Sequence, residues 1–595
     1  MSFPTLFRDI FKIFSPPQRL KLYKMQLLIL MSAVFEITGV ASVMPFMQAV
    51  GNPGALRETV STIGYLDFMT LYNTKELIIF LGLTSLFIMS ASAICSIYLT
   101  YRLAIFSASI GVNFADRLFE NYMGSSWTFH ANRNSADMTK QIAVESQRFA
   151  DLVMLPIMMM NSKIVLVLIF LVAFVIQDPH VAIVAGLVFL FVYMILYKVV
   201  KKRLAWNGQI ISDTYSKRFR ILSEGLMGIR DLIILRRLEG YPRAFNKHGI
   251  MLSRAKGLNV ALAQGPRYLI ELLAFGSMTG IVLYLYIEND RNIGGLLAIM
   301  TAYALAGLKV LPSVQQIYVA LAHVRGNSES FYIIRDDLML DNEDRADIRR
   351  GNVKKSHPLP DSKVAIDVRN LTFSYEADNI AIKDMSFVVN TGEMVGFIGS
   401  SGSGKSTLMD LVCGLLEATS GTIGFGKKSN GSDLNMAVVH QDIFLTDGTI
   451  RDNVALGVGI ENICDDKVLK ALESSHLADV VNLMDYGLDT ELGERGVKLS
   501  GGQRQRIAIA RAIYSKPDII VFDEATSALD GVSERQVMDT INSLAGESTI
   551  LIVAHRLESV KKCDKIFLLE HGVIKDFGSF LELQLRHPEF FGSTK

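Results

Sequence analysis

The sequence predicts an all-α domain of six membrane-spanning helices followed by an α/β domain built around a P-loop. Three observations point there. Half of the 595 residues are hydrophobic and the mean hydropathy is +0.31, too apolar for one soluble domain and too long for one core. Six apolar runs of at least about 20 residues, the length a bilayer needs, lie ahead of residue 320 and no comparable run follows. From Val364 the pattern changes to short β-branched runs separated by glycines and helical stretches, as in an α/β layer.

The six runs are 25–50, 77–105, 152–177, 180–200, 268–287 and 293–319. The third and fourth are parted only by Asp178 and Pro179, and the last two only by 288–292, so each pair reads as a tight hairpin on one side of the membrane. Two long polar segments, 101–151 and 201–267, fall on the other side. The first holds Arg102, Arg117, Arg133, Lys140 and Arg148, and the second Lys201, Lys202, Arg203, Lys217, Arg218 and Arg220. The positive-inside bias places them, and both termini, in the cytosol. Lys12, Arg19, Lys21 and Lys24 precede the first run, which is too long for a signal peptide and lacks a cleavage site, so it is expected to be retained as a span.

Both polar segments carry helical periodicity, which predicts that the spans continue below the membrane and are joined by short crossing turns. Gly124, Ser125 and Ser126 break the first, with an N-cap expected within 132–135, and 223–228 breaks the second. Glu36, Lys163, Glu271 and Lys309 lie inside apolar runs, where each ion costs about 2.5–3.5 kcal/mol near the bilayer centre. Each is expected to face a partner or a wet cavity, and Glu36 is a candidate partner for Lys163 or Lys309. Segment 51–75 has a weak amphipathic pattern that suits an outer interfacial helix or a packed loop.

The net charge of +1 excludes the basic footprint of nucleic-acid binding. Cys95, Cys413, Cys464 and Cys563 share no metal-ligand spacing and read as free thiols. The expected boundaries are a membrane domain over 1–335, a charged linker over 336–363 containing Pro358 and Pro360, and an α/β domain over 364–595.

The α/β domain carries Gly399, Ser400, Ser401, Gly402, Ser403, Gly404, Lys405 and Ser406 after a strand-like run and ahead of a helix opening at Thr407. Glycines let the backbone amides wrap phosphate, Lys405 reaches the terminal phosphates, and Ser406 suits magnesium. A second apolar strand ends in Asp523 and Glu524, which suit the magnesium shell and the activation of an attacking water. ATP and magnesium are therefore the implied cofactors.

Leu499, Ser500, Gly501, Gly502 and Gln503 precede a helix with Arg504 and Arg506. This resembles the signature motif of ATP-binding cassette proteins. The resemblance implies a type I exporter-like membrane domain fused to a nucleotide-binding domain, and an ATP site split between two copies of the chain. In it, Ser500, Gly502 and the signature helix grip a nucleotide held by the partner's P-loop, so a homodimer is implied. It further implies that Tyr375 stacks on adenine, that Gln441 joins the ATP and magnesium set, that Ser527 and Asp530 follow the second strand's acidic pair, and that His555 acts with Glu524 in catalysis.

Gly493, Glu494, Arg495 and Gly496 resemble a loop specific to exporters, and Glu224, Leu226, Gly228, Ile229 and Glu239 resemble an intracellular loop of half-size exporters. Phe35, Glu36, Gly39, Pro45 and Phe46, with segments 127–134 and 568–578, resemble the lipid-linked oligosaccharide flippases of bacterial protein glycosylation. That resemblance implies alternating access in a bacterial inner membrane, with a polyprenyl pyrophosphate cargo. Glu36, Lys163, Arg267 and Lys309 are the substrate candidates, the cations among them for the pyrophosphate. The absence of room for a peptidase domain ahead of the first span lowers a peptide cargo. Lipid A, multidrug and peptide export stay open as alternatives. A gated channel or regulator is expected to show degenerate ATP motifs, which this sequence lacks, and a soluble cassette is excluded by the six spans.

Overall fold

The computed structural model describes residues 3–51, 74–177, 179–269, 271–272, 275–276, 279, 293–339, 363–376, 379–428, 432–493, 496–524, 531–554 and 556–591. The chain forms two compact units, Met1–Ser125 with His130–Asp341, and Ser126–Phe129 with Asn342–Lys595.

The first unit is helical. Helix α1 (Phe3–Ile13) precedes α2 (Pro16–Ala41), which starts nine residues before the apolar run. The early start has a local cause: the Ser15 amide donates to Gln18 Oε1 at 2.9 Å in a capping box, and Pro16 presets the first helical turn. After a break at Ser42 comes α3 (Val43–Gly51). The outer segment, at 52–73, lies outside the described residues.

Helix α4 (Thr74–Met123) has 50 residues, hence a length of about 75 Å, against about 30 Å of hydrocarbon. The second span therefore runs far into the aqueous phase, as its periodicity predicts. It ends at Gly124 and Ser125. A short helix α5 (Trp127–Ala131) follows, and the Asn134 side chain then caps the next helix by accepting from the Ala136 amide at 2.9 Å. That helix is continuous from α6 (Ser135–Lys140) through α7 (Ser146–Phe149) to α8 (Leu155–Gln177), linked by π-helical turns at Gln141–Glu145 and Ala150–Met154.

Helix α9 (Pro179–Met227) ends before Gly228, which caps α10 (Ile229–Ile234), and α11 (Gly240–Gln264) returns. The fourth apolar run thus lies in α9 and the sixth in α12 (Ile293–Asn327), while most of the fifth lies outside the described residues. Among the described residues three helices are long and apolar enough to cross a membrane: Pro16–Met47, Lys75–Met123 and Ser135–Ile176.

Helix α13 (Glu329–Leu338) closes the unit. Its Phe331 continues an aromatic column, with ring centroids 5.3 Å apart for Phe114 and Phe149 and 5.2 Å for Phe149 and Phe331. All three rings are fully buried, so the column fastens α4, α7 and α13 together.

The second unit has two sheets. β1 (Val364–Glu376), β2 (Asn379–Asn390) and β4 (Ser420–Phe425) form an antiparallel sheet in the order β2-β1-β4. β3 (Met394–Gly399), β5 (Met436–Val439), β6 (Ile519–Asp523), β7 (Thr549–Val553), β8 (Lys565–Glu570) and β9 (Val573–Gly578) form the other, in the order β5-β6-β7-β3-β8-β9. Only the β8–β9 pair is antiparallel. β3 and β7 are buried along their whole length, which is why they read as unbroken apolar runs. A separate helical core around Ile450, Val468, Leu472 and Ile507 packs against α14 (Gly501–Tyr514).

Candidate nucleotide site and membrane charges

The parallel sheet sets two functional strands on either side of β7, because β3 and β6 both pair with it and end at the same carboxyl edge. From β3 the chain passes through the P-loop into a helix over Lys405–Val412, whose cap Gly404 has φ 99°. A Cβ at Gly404 would lie 2.8 Å from the Ala381 carbonyl oxygen, so no larger residue fits this left-handed bend.

Lys405 is buried, and its Nζ donates to the carbonyl oxygens of Gly399 at 3.0 Å and Ser400 at 2.9 Å. The side chain thus lies along the loop that the sequence assigns to phosphate. Burial pulls the ammonium below the usual lysine value, while the negative charges of Glu524 and Asp523 raise it. That mutual influence places the P-loop lysine and the two acids at the end of β6 in one electrostatic group. The Ser403 hydroxyl is buried with no hydrogen-bond partner among the described residues.

Glu524 is the first residue past β6 and has φ 51°, a left-handed backbone that is costly for a residue with a Cβ. Its amide donates to the Val553 carbonyl at 3.0 Å, which fixes where the carboxylate begins. Asp410, which sequence reasoning missed, lies one helical turn after Ser406 on the same face; that spacing was the available signal. Burial pushes its carboxyl up, as does the neighbouring Asp523. Burial also drives Cys413 to about 12, consistent with an inert thiol.

Tyr375 is exposed, its hydroxyl 3.1 Å from that of Thr407 and its ring edge-on to Phe373 at 4.9 Å. It is thus open to a stacking base beside the helix that the P-loop starts.

Ser500 caps α14 through a reciprocal capping box. Its Oγ accepts from the Gln503 amide at 3.2 Å, and Gln503 Oε1 accepts from the Ser500 amide at 2.8 Å. Gly501 opens the helix and Gly502 is buried in its first turn. Further along, Arg511 donates to the Asn453 carbonyl at 2.8 Å and to the Phe444 carbonyl at 3.0 Å, three residues after Gln441. The signature helix and the Gln441 loop are therefore tied within one unit. Glu494, Arg495, Ser527, Asp530 and His555 lie outside the described residues, while Gly493 and Gly496 hold φ of 71° and 65°.

In the membrane unit, Glu36 is buried and accepts from the Ser96 hydroxyl at 2.9 Å. Among the described residues it makes no ion pair with Lys163 or Lys309; a hydroxyl in place of a cation satisfies it. Arg267 pairs with Glu271 at 2.5 Å, one helical turn on, with both side chains 53% exposed. Lys163 and Lys309 are half-buried and on separate helices, α8 and α12. Buried pairs that sequence reasoning passed over sit just after the first crossing turn: Glu145 meets Lys140 at 3.4 Å and Arg148 at 3.3 Å, and accepts from Ser212 at 3.0 Å. The four cysteines are free.

A P-loop on β3, an acidic pair closing β6 and a serine-capped glycine helix define a P-loop ATPase domain, here on the same chain as a helical membrane domain. Residues 382–527 match the family model for ABC transporters, and residues 54–306 match that for the ABC transporter transmembrane region. The chain is 30% identical to the heterocyst differentiation ATP-binding protein HepA of Nostoc sp. over 80% of this chain and 78% of that one. It is 29% identical to an ATP-dependent lipid A-core flippase of Ralstonia nicotianae over 83% of each. It is 33% identical to a β-(1→2)glucan export protein of Agrobacterium vitis over 56% of this chain and 55% of that one. A solved bacterial Atm1-family ABC exporter with ATP bound shares the fold, with a TM-score of 0.71 over 96% of both chains at 21% identity.

The chain belongs to the ABC transporter family, as a half-transporter with one membrane domain and one ATP-binding domain. It is a multi-pass membrane protein that couples ATP hydrolysis to export.

Proposed function

We propose that two copies of this chain form an exporter that flips a lipid-linked oligosaccharide, a polyprenyl pyrophosphate class of cargo, across a bacterial inner membrane by alternating access. The ATP-binding domains then face the cytosol. The observation that carries the ATPase half of this reading is the shared carboxyl edge of β3 and β6, where Lys405 feels both Asp523 and Glu524. Each chain supplies one P-loop and one signature helix, so both composite sites of a homodimer are complete.

In each site Gly399, Ser400, Gly402, Ser403 and Gly404 present backbone amides to the phosphates, Lys405 neutralises their charge, and Tyr375 stacks on the base. Thr407 supports the loop's helix. Ser500, Gly501, Gly502 and Gln503 of the partner subunit close over the terminal phosphate from a helix N-terminus, where a negative charge is favoured. Asp530 completes the ATP set. Ser406, Gln441 and Asp523 offer the hard oxygen donors that magnesium takes, and the ion supplies charge neutralisation at the phosphates. Glu524 accepts the proton of the attacking water, with His555 orienting the γ-phosphate.

The cargo reading rests on the stretches that resemble oligosaccharide flippases, and on relatives whose names are those of lipid A-core flippases and a β-(1→2)glucan exporter. Glu36, Lys163, Arg267 and Lys309 are its proposed contacts. The relatives named as lipid A-core flippases favour lipid A as a second reading. The deciding measurement is flipping in proteoliposomes supplied with lipid-linked oligosaccharide, lipid A or a hydrophobic drug. ATP-dependent flipping of the first supports the proposal; no response to it, with robust response to another, overturns the cargo.

A further inference from the structure

The membrane unit holds a buried carboxylate to which neither ATP chemistry nor cargo has been assigned. Asp337 is one residue from the end of α13, the helix from which the chain continues toward the ATP-binding domain, and is 5% exposed. Arg133, which lies between the short crossing helix α5 and the Asn134 cap, grips both its oxygens, at 2.9 and 2.8 Å. The Tyr122 hydroxyl donates to Oδ2 at 2.7 Å and lies against the Gln141 amide group on the first π-turn. Asn121 Nδ2 donates to the Asp337 carbonyl at 2.6 Å, and Arg117 donates to that of Leu338 at 3.2 Å. His130 Nε2 lies 2.8 Å from the Tyr122 carbonyl, a second tie from the crossing segment to α4.

The Asp337 carboxylate is buried while the Arg133 side chain is 40% exposed, so the pair contributes little net stability: solvent screening at the arginine and desolvation of the carboxylate offset most of its Coulomb attraction. What this one fixes is geometry. Two stretches of chain far apart in sequence meet at one carboxylate: the end of the last helix before the linker, and residues 117–133, which run from the lower end of the second span through the crossing helix to the segment after it.

We propose that Asp337 is a positioning residue of the transport cycle, locking residues 130–133 and the end of α13 to the lower end of α4 so that they move as one lever. Movement of the ATP-binding domain then reaches the second span without slack. The proposal rests on ATP-driven export and is independent of the cargo.

The test uses the full-length homodimer in proteoliposomes, with genetically encoded spin labels at exposed residues 86 on α4 and 486 in the ATP-binding domain. Inter-copy distances are measured with and without ATP. In wild type both distances change. In Asp337→Asn, which removes the charge but keeps the size, the change at 486 is retained, ATP hydrolysis stays within about twofold, and the population switching at 86 falls about tenfold. Tyr122→Phe is expected to show a smaller loss of the same kind. Arg133→Asp with Asp337→Arg is expected to recover switching that Arg133→Asp alone loses. Wild-type switching at 86 in Asp337→Asn overturns the proposal. So does a parallel loss at 86, at 486 and in thermal midpoint in all variants with no recovery in the swapped pair, since that outcome marks a packing role only.

Discussion

The Glu524 amide donates to the Val553 carbonyl on the neighbouring strand at 3.0 Å while its own backbone sits at φ 51°. A left-handed glutamate is a strained residue that the adjacent β6 and β7 ladder holds in place. That backbone sets Glu524 directly after β6, at the position from which its carboxylate is proposed to activate water. Glu524→Gln is therefore expected to cut ATP turnover by about 10²-fold or more, the contribution of a general base. ATP affinity stays near wild type, because amide and carboxylate occupy the same volume. ATP bound stoichiometrically without turnover, and a stable closed dimer on size exclusion, are the readouts; turnover within a fewfold of wild type removes Glu524 from the chemistry.

Gly404 gives a second, purely steric expectation. With φ 99° and the Ala381 oxygen 2.8 Å from where a Cβ would stand, Gly404→Ala meets both backbone strain and a collision. The left-handed strain alone costs about 1–3 kcal/mol. The loop is expected to shift away from β2 and lose ATP affinity by tenfold or more, by about the same factor that this energy implies. Isothermal titration calorimetry on the dimer checks this. Affinity equal to wild type means that the loop yields without consequence.

Lys405 predicts a pH dependence. Burial lowers its pKa, with Glu524 and Asp523 only partly restoring it. A lysine whose folded pKa lies below its unfolded value carries a cost that is fully present below that depressed value. That cost is relieved as pH rises from the depressed value toward about 10.4. Phosphate beside the ammonium favours the charged form, so ATP binding takes up a proton in that window and weakens as pH rises through it. Calorimetry in buffers of differing ionisation enthalpy measures the uptake. Lys405→Arg, which keeps its charge, should bind with a flatter profile, and a flat profile in wild type up to pH 10 contradicts the argument.

The ATP motifs were legible because each is a local pattern whose meaning depends only on near neighbours: glycines at a bend, an acidic pair ending an apolar strand, a serine ahead of a glycine helix. The crossing-turn breaks at Gly124 and Gly228, and the cap at Asn134, were legible for the same reason. Long-range pairing was not. Lys140, Arg133 and Arg148 read only as positive-inside charges, with no partner legible, yet Lys140 and Arg148 are buried against Glu145, and Arg133 clamps Asp337 across 204 positions. Likewise the apolar run at 25 hid a helix that begins at Pro16, because its start is set by a four-residue capping box and not by hydropathy.

Ser500 separates structure from assembly. As cap of α14 it stabilises the helix, and Ser500→Ala is expected to cost about 1 kcal/mol. Ser500→Asp caps equally well, so the thermal midpoint should hold, but it places a negative charge where the partner's phosphate must come. ATP turnover is then expected to fall about 10²-fold, as when a donor at a developing anion is lost. Lys405→Ala fails at the P-loop instead. When these two inactive chains are co-assembled, the mixed dimer contains one site built from an intact P-loop and an intact signature helix, the other site carrying both defects. Activity should reappear in the mixture that neither variant shows alone. A mixture that hydrolyses no more ATP than its components would mean that the signature helix serves its own chain's nucleotide, and the composite homodimer would have to be abandoned.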